Sequence, residues 1–257
     1  MRVFFLVLLF SALTLAASPQ QSDLSDVVLE AAVEAHGGVS AISPTIDATS
    51  FGNQTFWAGQ ETLQRSLRLD TSGAFQMRMT LQAANRTPKV YVSDGRLAWS
   101  QEGDRTRSIA ERQAANQPNP FNPVTGLLGA YLRNAFEPTY LGLERDGNVP
   151  YHRILLQLRD PDSSRVAQGR SVDRAYEVLI EDGTFLIAEV SVVGADWASH
   201  HPELWERWQY SDFRQVEGLI VPFFIEHFHN GVEISQTELS SFTLTQHGPI
   251  FREPVGN

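Results

Sequence analysis

The feature that most constrains the fold of this chain is an aromatic, β-branched meander near its C-terminal end, at residues 208–245. Two dipeptides, Glu217-Gly218 and Asn230-Gly231, separate three segments in which apolar and polar side chains alternate. Asn-Gly between such segments is typical of a two-residue β-hairpin turn, because both turn residues need positive φ angles. The pattern therefore predicts three antiparallel strands in succession.

A two-residue turn at Asn230-Gly231 also predicts the register of the last hairpin. Counting outward from the turn, His229 pairs with Val232, and each further pair follows in regular order. The expected pairs beyond it are His227 with Ile234, Ile225 with Gln236, and Phe223 with Glu238. One face is then apolar, and it carries Leu219, Val221, Phe223 and Ile225 opposite Ile234 and Phe242. The other face is mixed, and it carries Pro222, Phe224, Glu226 and Phe228 opposite Glu233, Ser235, Thr237 and Leu239.

The first seventeen residues are typical of a secretory signal peptide. Arg2 is followed by an apolar run over residues 3–15 and by the small residues Ala16 and Ala17,. The alternative is an uncleaved membrane anchor, but a spanning helix needs ~20 apolar residues, more than this run has. We expect residues 1–17 to be removed and residues 18–257 to form one exported domain, periplasmic or else secreted.

Composition narrows the classes of ligand and partner. The chain has no Cys, which excludes both disulfides and a lipid-modified N-terminal cysteine, so its stability depends on a hydrophobic core,. The formal net charge of −10 argues against nucleic acid and anionic membrane surfaces as partners,. By charge alone we expect a neutral, apolar or cationic ligand.

Two amphipathic helices are predicted to accompany the strands. The first covers residues 22–36 and ends at Gly37-Gly38, where a cationic His36 would suit the helix C-terminal dipole. Its apolar stripe consists of Leu24, Val27, Val28, Ala31 and Ala35. The second begins with Asn122 as N-cap and ends at Pro138. Its stripe consists of Leu127, Leu128, Tyr131, Leu132, Ala135 and Phe136.

The remaining segments alternate with period two and are separated by short turns, which favours an antiparallel meander over a parallel sheet. Strands are expected within residues 51–57, 61–70, 74–83, 89–93, 96–101, 151–158, 175–180 and 185–193. Residues 108–111 have the spacing of a capping box and predict the start of a short helix. Together with the C-terminal meander, this predicts roughly ten strands.

No catalytic motif is found in this sequence. It has no G-x-S-x-G and no phosphate-binding glycine loop, and it has no Cys to act as a nucleophile,. His227 and His229 share a strand face, but the nearest acids in sequence, Glu226 and Glu233, point the other way. We therefore expect no enzyme, no metal and no cofactor.

Four motifs make the chain similar to the bacterial lipoprotein-carrier superfamily, the periplasmic outer-membrane lipoprotein-sorting proteins and their relatives. They are the helix ending in His36-Gly37-Gly38, the strand, Asp-Gly turn and Trp-bearing strand of residues 90–108, the hairpin of residues 176–190, and the Gly-to-Pro step of residues 218–222. The resemblance covers nearly all of residues 18–257. The family's Arg-Pro segment after the early strands is absent, so Arg65, Arg68 and Arg78 inherit no role from it.

The resemblance implies a mainly β (α+β) fold, a strongly curved antiparallel half-barrel with two helices covering its concave face. It also implies an apolar cavity between sheet and helices that accepts a hydrophobic small molecule or acyl chain, with a membrane-bound or outer-membrane protein as partner in transport. The residues we expect to line the cavity are Trp57, Trp99, Leu128, Tyr131, Leu132, Leu219, Val221, Phe223 and Ile225. Residues 105–122 are the expected lid.

Two other functions fit the same residues. The first alternative is a periplasmic protein-interaction or sensor module on the same fold, with Phe224 and Phe228 on the mixed face as its contact surface. A secreted hydrolase would need two carboxylates or a metal cluster converging in the cleft, and sequence spacing alone cannot select such a pair.

Overall fold

The computed structural model describes residues 19–42, 47–94, 98–109, 121–159, 175–196 and 201–245. Helix α1 spans Pro19–Ala35, a π-helical turn spans Val124–Leu128, and helix α2 spans Gly129–Leu132. The strands are β1 (Asp47–Ala58), β2 (Glu61–Ser72), β3 (Gln76–Ala83), β4 (Lys89–Asp94), β5 (Ala98–Glu102), β6 (Arg105–Ile109), β7 (Phe136–Asp146), β8 (Val149–Leu158), β9 (Ala175–Glu181), β10 (Ile187–Asp196), β11 (His201–Val216), β12 (Leu219–His229) and β13 (Val232–Thr245). The predicted signal peptide and residues 110–120 of the predicted lid lie outside the described residues, and both stay predictions.

All thirteen strands belong to one open antiparallel sheet, in the order β6-β5-β4-β3-β2-β1-β13-β12-β11-β10-β9-β8-β7. This confirms the predicted mainly β class, although the expected number of strands was too low. Strands β6 and β7 were missed. β6 occupies residues assigned to the lid and to a short helix, and β7 begins at Phe136, inside the predicted second helix. Both are the edge strands of the sheet.

The sheet is strongly curved. Side chains from nine consecutive strands, β4 through β1 and β13 through β9, line a single cavity of about 390 Å³. Nine strands of a flat sheet would span roughly 38 Å, far more than a cavity of this size can bridge. The helical segment 124–132 lies on the concave face, since Leu127 contributes to the same cavity. Among the described helices, none has the length and apolarity needed to cross a membrane.

The Asn230-Gly231 turn is confirmed, but the register beyond it is not regular. Both residues have positive φ, 50° and 77°, and His229 pairs with Val232 as expected. A β-bulge then inserts Ile234, so that His227 pairs with Ser235 and Ile225 with Thr237,. The predicted face is therefore wrong for the three residues that follow the bulge at alternate positions, whereas Phe242 is buried as expected. Ser235, Thr237 and Leu239 lie on the inner face and are buried.

Helix α1 forms where predicted, but it buries a different face. Leu24 and Val27 of the predicted stripe are 42% and 59% exposed. The buried residues are Ser25, Val28, Leu29, Ala32, Val33 and His36. This stripe has the same helical spacing rotated by about one residue, which a pattern of small apolar side chains cannot distinguish.

His36 connects the end of α1 to the sheet. Its ring is fully buried, where Nδ1 donates to the Ile220 carbonyl at 2.6 Å and Nε2 accepts the Ile187 N–H at 3.1 Å. Burial lowers the pKa of His36 to about 4, against a partial opposing effect of the Ile220 hydrogen bond. The expectation of a cationic His36 is therefore wrong, because the neutral ring is the form that both hydrogen bonds require.

The second predicted helix is shorter than its stripe. Asn122 caps it as predicted, since its Oδ1 accepts the Thr125 N–H at 3.2 Å. The helix ends at Leu132, and Phe136 and Pro138 belong to β7. Proline is compatible with this position because β7 is an edge strand. One side of such a strand has no neighbour, so a residue without an N–H can be accommodated there.

Candidate ligand cavity

The main candidate site is the apolar cavity between the concave face of the sheet and residues 121–127. Its walls are mostly aromatic and aliphatic side chains, with a few polar groups, which is the usual character of a small-molecule site. The lining residues are Gln54, Phe56, Arg65, Met77, Met79, Leu81, Lys89, Tyr91, Phe121, Pro123, Leu127, Tyr176, Val190, Val192, Glu206, Trp208, Tyr210, His227, Ile234 and Ser235.

Strand alternation explains most of this lining. Met77, Met79 and Leu81 occupy every second position of β3 and point to one face, while the exposed Arg78 points to the other,. The β13 bulge adds to the wall, because it directs both Ile234 and Ser235 into the cavity. A regular ladder would have turned one of them away.

A hydrogen-bonded polar group crosses the wall between β2 and β13. Arg65 Nη2 donates to Gln54 Oε1 at 2.8 Å, and Gln54 Nε2 donates to Thr237 Oγ1 at 3.2 Å. Gln54 and Thr237 are almost fully buried, and the Arg65 guanidinium lies 4.3 Å from the centre of the Phe56 ring. Burial lowers the pKa of Arg65, with the nearby Tyr91 hydroxyl acting in the opposite direction.

A second polar group lies on β11 and β12. The His227 ring stacks on Trp208 at a centroid distance of 4.6 Å, and its Nε2 lies 3.7 Å from a Glu206 carboxylate oxygen. Trp208 Nε1 is buried and has no acceptor among the described residues. Within those residues, no group of three or more His, Asp or Glu side chains is placed to hold a metal ion.

None of the nine residues expected to line the cavity does so. Trp99, Leu128, Leu219, Val221, Phe223 and Ile225 are buried at 5% exposure or less. Trp57 follows Phe56 in β1 and lies on the opposite face of the sheet. Their role in binding stays a prediction.

Tyr131 and Leu132 line a different space, a surface groove of about 770 Å³ between α1 and the start of β7. Its lining includes Asp26, Glu30 and Arg159, and Tyr131 spans it with a 3.1 Å hydrogen bond from its hydroxyl to Asp26 Oδ1. Although this groove is larger, half of its exposed lining is polar, which suits water better than an apolar chain. The cavity on the concave face is therefore the stronger candidate, because its wall is mostly apolar.

The aromatic residues proposed as a protein contact surface are only half-exposed. Phe224 and Phe228 lie on the outer face of β12. The guanidinium of Arg207 covers Phe228 at 4.2 Å from the ring centre. Their role as a contact surface stays a prediction.

The sequence contained one signal for the residues that line this cavity. By strand alternation, Gln54, Arg65 and Lys89 point to the same face as the apolar side chains of their strands. Long polar side chains rarely face a filled core, so this pattern indicates an open space. Choosing instead the most apolar residues selected the packed core, because side chains with the greatest hydrophobicity tend to be the ones that pack fully.

Comparison with solved structures shows that the fold is a known one. The chain aligns with a LolA superfamily protein from Nitrosomonas europaea at a TM-score of 0.56 and 14% identity, covering 89% of this chain and 97% of that one. It aligns with a domain named for outer membrane lipoprotein sorting from Vibrio parahaemolyticus at a TM-score of 0.55 and 10% identity, covering 86% and 94%. A DUF1329 family protein from Desulfovibrio piger gives a TM-score of 0.54 at 12% identity, covering 85% and 92%.

No family profile and no curated protein matches the chain. The structural alignments confirm the fold that the resemblance predicted.

Proposed function

We propose that this protein is an exported, non-enzymatic carrier that binds a lipid or acyl chain in the apolar cavity on the concave face of the sheet. The observation that carries the proposal is the cavity itself, about 390 Å³ of space between curved sheet and helical segment with a mostly apolar wall. This volume falls in the range of small-molecule sites, roughly 300–1,000 Å³. The names of two structural neighbours, a LolA superfamily protein and a lipoprotein-sorting domain, support the same class of ligand.

The energetics are adequate for a single chain. Each methylene moved from water into the cavity contributes about 0.8 kcal/mol. About ten buried methylenes therefore give roughly 8 kcal/mol before ordering costs, the free energy of a micromolar Kd. Met77 and Met79 suit such a ligand, because flexible thioether side chains adapt to chains of different shape,.

Export rests on the apolar leader at residues 3–15, and we assign the protein to the periplasm,. Transfer of the ligand to a membrane-bound or outer-membrane protein would complete its role in transport. Residues 18–257 are proposed to act as one lipoprotein-carrier-like domain.

The test is direct binding together with a variant that fills the cavity. Protein purified from its natural cell envelope is expected to contain lipid detectable by mass spectrometry, and delipidated protein is expected to bind a fluorescent fatty acid. Met77→Trp places a larger ring in the cavity and is expected to weaken binding ~10-fold or more, since overpacking opposes the ligand,.

Arg78→Trp is the matched control, because residue 78 is exposed on the other face of the same strand. It is expected to bind as the wild type does. Purified protein that contains no lipid and binds no fatty acid would contradict the proposal, and so would equal loss of binding in both variants.

A further inference from the structure

The charges in the cavity are distributed unevenly along its wall. Lys89 and Arg65, on β4 and β2, are its two cations, and Glu206 on the distant strand β11 is its one carboxylate among the described lining residues. This local balance is opposite in sign to the net charge of the whole chain.

The Arg65 guanidinium is held in place at the wall. The hydrogen bond to Gln54 fixes one end, and the Phe56 ring supports one flat face. Gln54 is itself bound to Thr237, so the support reaches across β1 to β13. Arg65 Nε remains buried without an acceptor among the described residues. A buried donor in this state is normally satisfied by some partner.

Lys89 is near the same region. Its Nζ lies 5.0 Å from the centre of the Tyr91 ring, and Tyr91 is close enough to Arg65 to affect the pKa of that group. Tyr91 is therefore close to both cations and supplies a further hydroxyl donor at the wall,.

Neither cation is neutralised by a carboxylate of the described residues. Glu102 is the cross-strand neighbour of Lys89 on β5, yet no ion pair within 4.0 Å joins them. Glu206 lies beside His227 on the other side of the cavity. Both cations lie beside an apolar wall, and Arg65 also has a buried N–H without an acceptor among the described residues. We expect such a site to bind an anion, because a buried charge without a counter-charge is costly.

We infer that the ligand is a single-chain amphiphile with an anionic headgroup, bound by Arg65 and Lys89 while its chain lies against Met77, Met79 and Leu81. Arg65 suits a carboxylate or a phosphate, because the guanidinium presents parallel N–H donors to two oxygens. This inference rests on the proposed function and adds the ligand class to it. It also replaces the expectation, drawn from net charge, of a neutral, apolar or cationic ligand.

The experiment compares ligands that differ only in the headgroup. Displacement of a neutral fluorescent lipid from delipidated wild-type protein is measured with oleate, oleoyl lysophosphatidate and oleyl alcohol, each below its micelle concentration. One of the two anions is expected to bind at least ~10-fold more tightly than the alcohol, as charge-assisted hydrogen bonds require. A preference for oleate identifies a carboxylate ligand, and a preference for lysophosphatidate identifies a phosphate.

Variants assign the preference to the two cations. Arg65→Met/Lys89→Met is expected to lose the preference for the anion, so that the ratio of its affinities for anion and alcohol falls to about one. Arg78→Met/Arg86→Met removes the same charge from exposed positions outside the cavity and is expected to keep the preference.

Three outcomes are decisive. Equal affinity of the wild type for anion and alcohol overturns the inference and leaves the proposed function intact, and this comparison needs no variant. Survival of the preference in Arg65→Met/Lys89→Met also overturns it. Failure of all three ligands to displace the probe, or of the probe to bind, overturns the proposed function as well.

Discussion

At the scale of single residues, His36 joins the end of helix α1 to the sheet by hydrogen bonds. The residue stands at the end of α1, as expected, but it acts as a neutral bridge and not as a cation at a helix terminus. Both ring nitrogens are engaged, and its own carbonyl accepts the Ile220 N–H at 3.1 Å. Protonation of Nε2 would place its N–H against the Ile187 N–H, so that this hydrogen bond would be lost.

This geometry predicts a loss of stability in mild acid. The unfolded chain protonates His36 near pH 6.5, whereas the folded protein does so only near pH 4,. The unfolded state therefore binds more protons between these values. The stability that neutral His36 contributes is fully present above pH 6.5 and is lost as the pH falls to about 4. The expected contribution is up to ~3 kcal/mol in the free energy of unfolding, measured by urea denaturation across this range.

His36→Gln removes the titrating group and serves as the comparison. The variant is expected to be less stable than the wild type at pH 7.5 but to lose less stability on acidification. Identical pH dependence in the two proteins would show that other groups cause the effect.

Gly37 shows a second residue-scale constraint, the close approach of α1 to the β11–β12 turn. Its φ is +124°, and a Cβ there would lie 2.3 Å from the Gly218 carbonyl oxygen. Gly37→Ala is expected to cost roughly 3 kcal/mol or more, from strain and overlap together. Gly231→Ala has positive φ but open space around it, so about 1–2 kcal/mol is expected,. Chemical denaturation of both variants measures the difference, and equal losses would mean that the close approach has no effect.

At the scale of elements, the two helices and the two edge strands depart most from the pattern-based expectation. The edges were missed because β6 and β7 carry charged and exposed side chains with little alternation. Charged side chains and Pro138 at an edge oppose pairing with a strand of another molecule. The residues that made these strands hard to predict therefore also oppose aggregation through the sheet edges. Gly142, with φ +127°, adds a bulge to β7.

The rotation of α1 about its axis gives a test with a matched substitution. Leu29→Ala removes a fully buried side chain and is expected to destabilise the protein by roughly 3 kcal/mol,. Leu24→Ala makes the same change at a position 42% exposed, and less than about 1 kcal/mol is expected,. Urea denaturation distinguishes the two. A larger loss for Leu24→Ala would mean that the predicted stripe was the buried one after all.

At the scale of the whole molecule, the sheet brings together residues that are distant in the chain. Gln54 and Thr237 are hydrogen-bonded across the β1–β13 pairing, which joins the two halves of the chain at the middle of the sheet. The cavity spans this junction, with β2 to β4 on one side and β9 to β12 on the other. A ligand in the cavity therefore contacts both halves.

Ligand binding is accordingly expected to stabilise the entire fold. At a hundredfold excess over Kd, a ligand that binds only the folded state adds about 2.7 kcal/mol. For a chain of this size that raises Tm by roughly 5–10 °C, measured by differential scanning calorimetry with and without fatty acid. Met77→Trp is expected to show little shift, and a full shift in that variant would place the ligand elsewhere.

The amino-acid sequence was sufficient for features that depend on neighbours a few residues apart. The Asn230-Gly231 turn, the Asn122 cap and the class of the sheet all follow from local φ preferences, capping chemistry and alternation. The resemblance of the His36-Gly37-Gly38 and 218–222 motifs led to the correct fold. In the structure these two motifs contact each other, through Gly37 and Gly218.

The tertiary structure alone decided the face of α1, the bulge at Ile234 and the lining of the cavity. Each depends on how distant strands curve and pair, and one extra residue in β13 changes which side chains face inward,. The C-terminal meander thus contributes Leu219 to Ile225 to the packed core, while Arg65, Lys89 and the methionines of β3 line the open space. Hydrophobicity identifies what is buried, but only curvature determines where burial leaves room for a ligand.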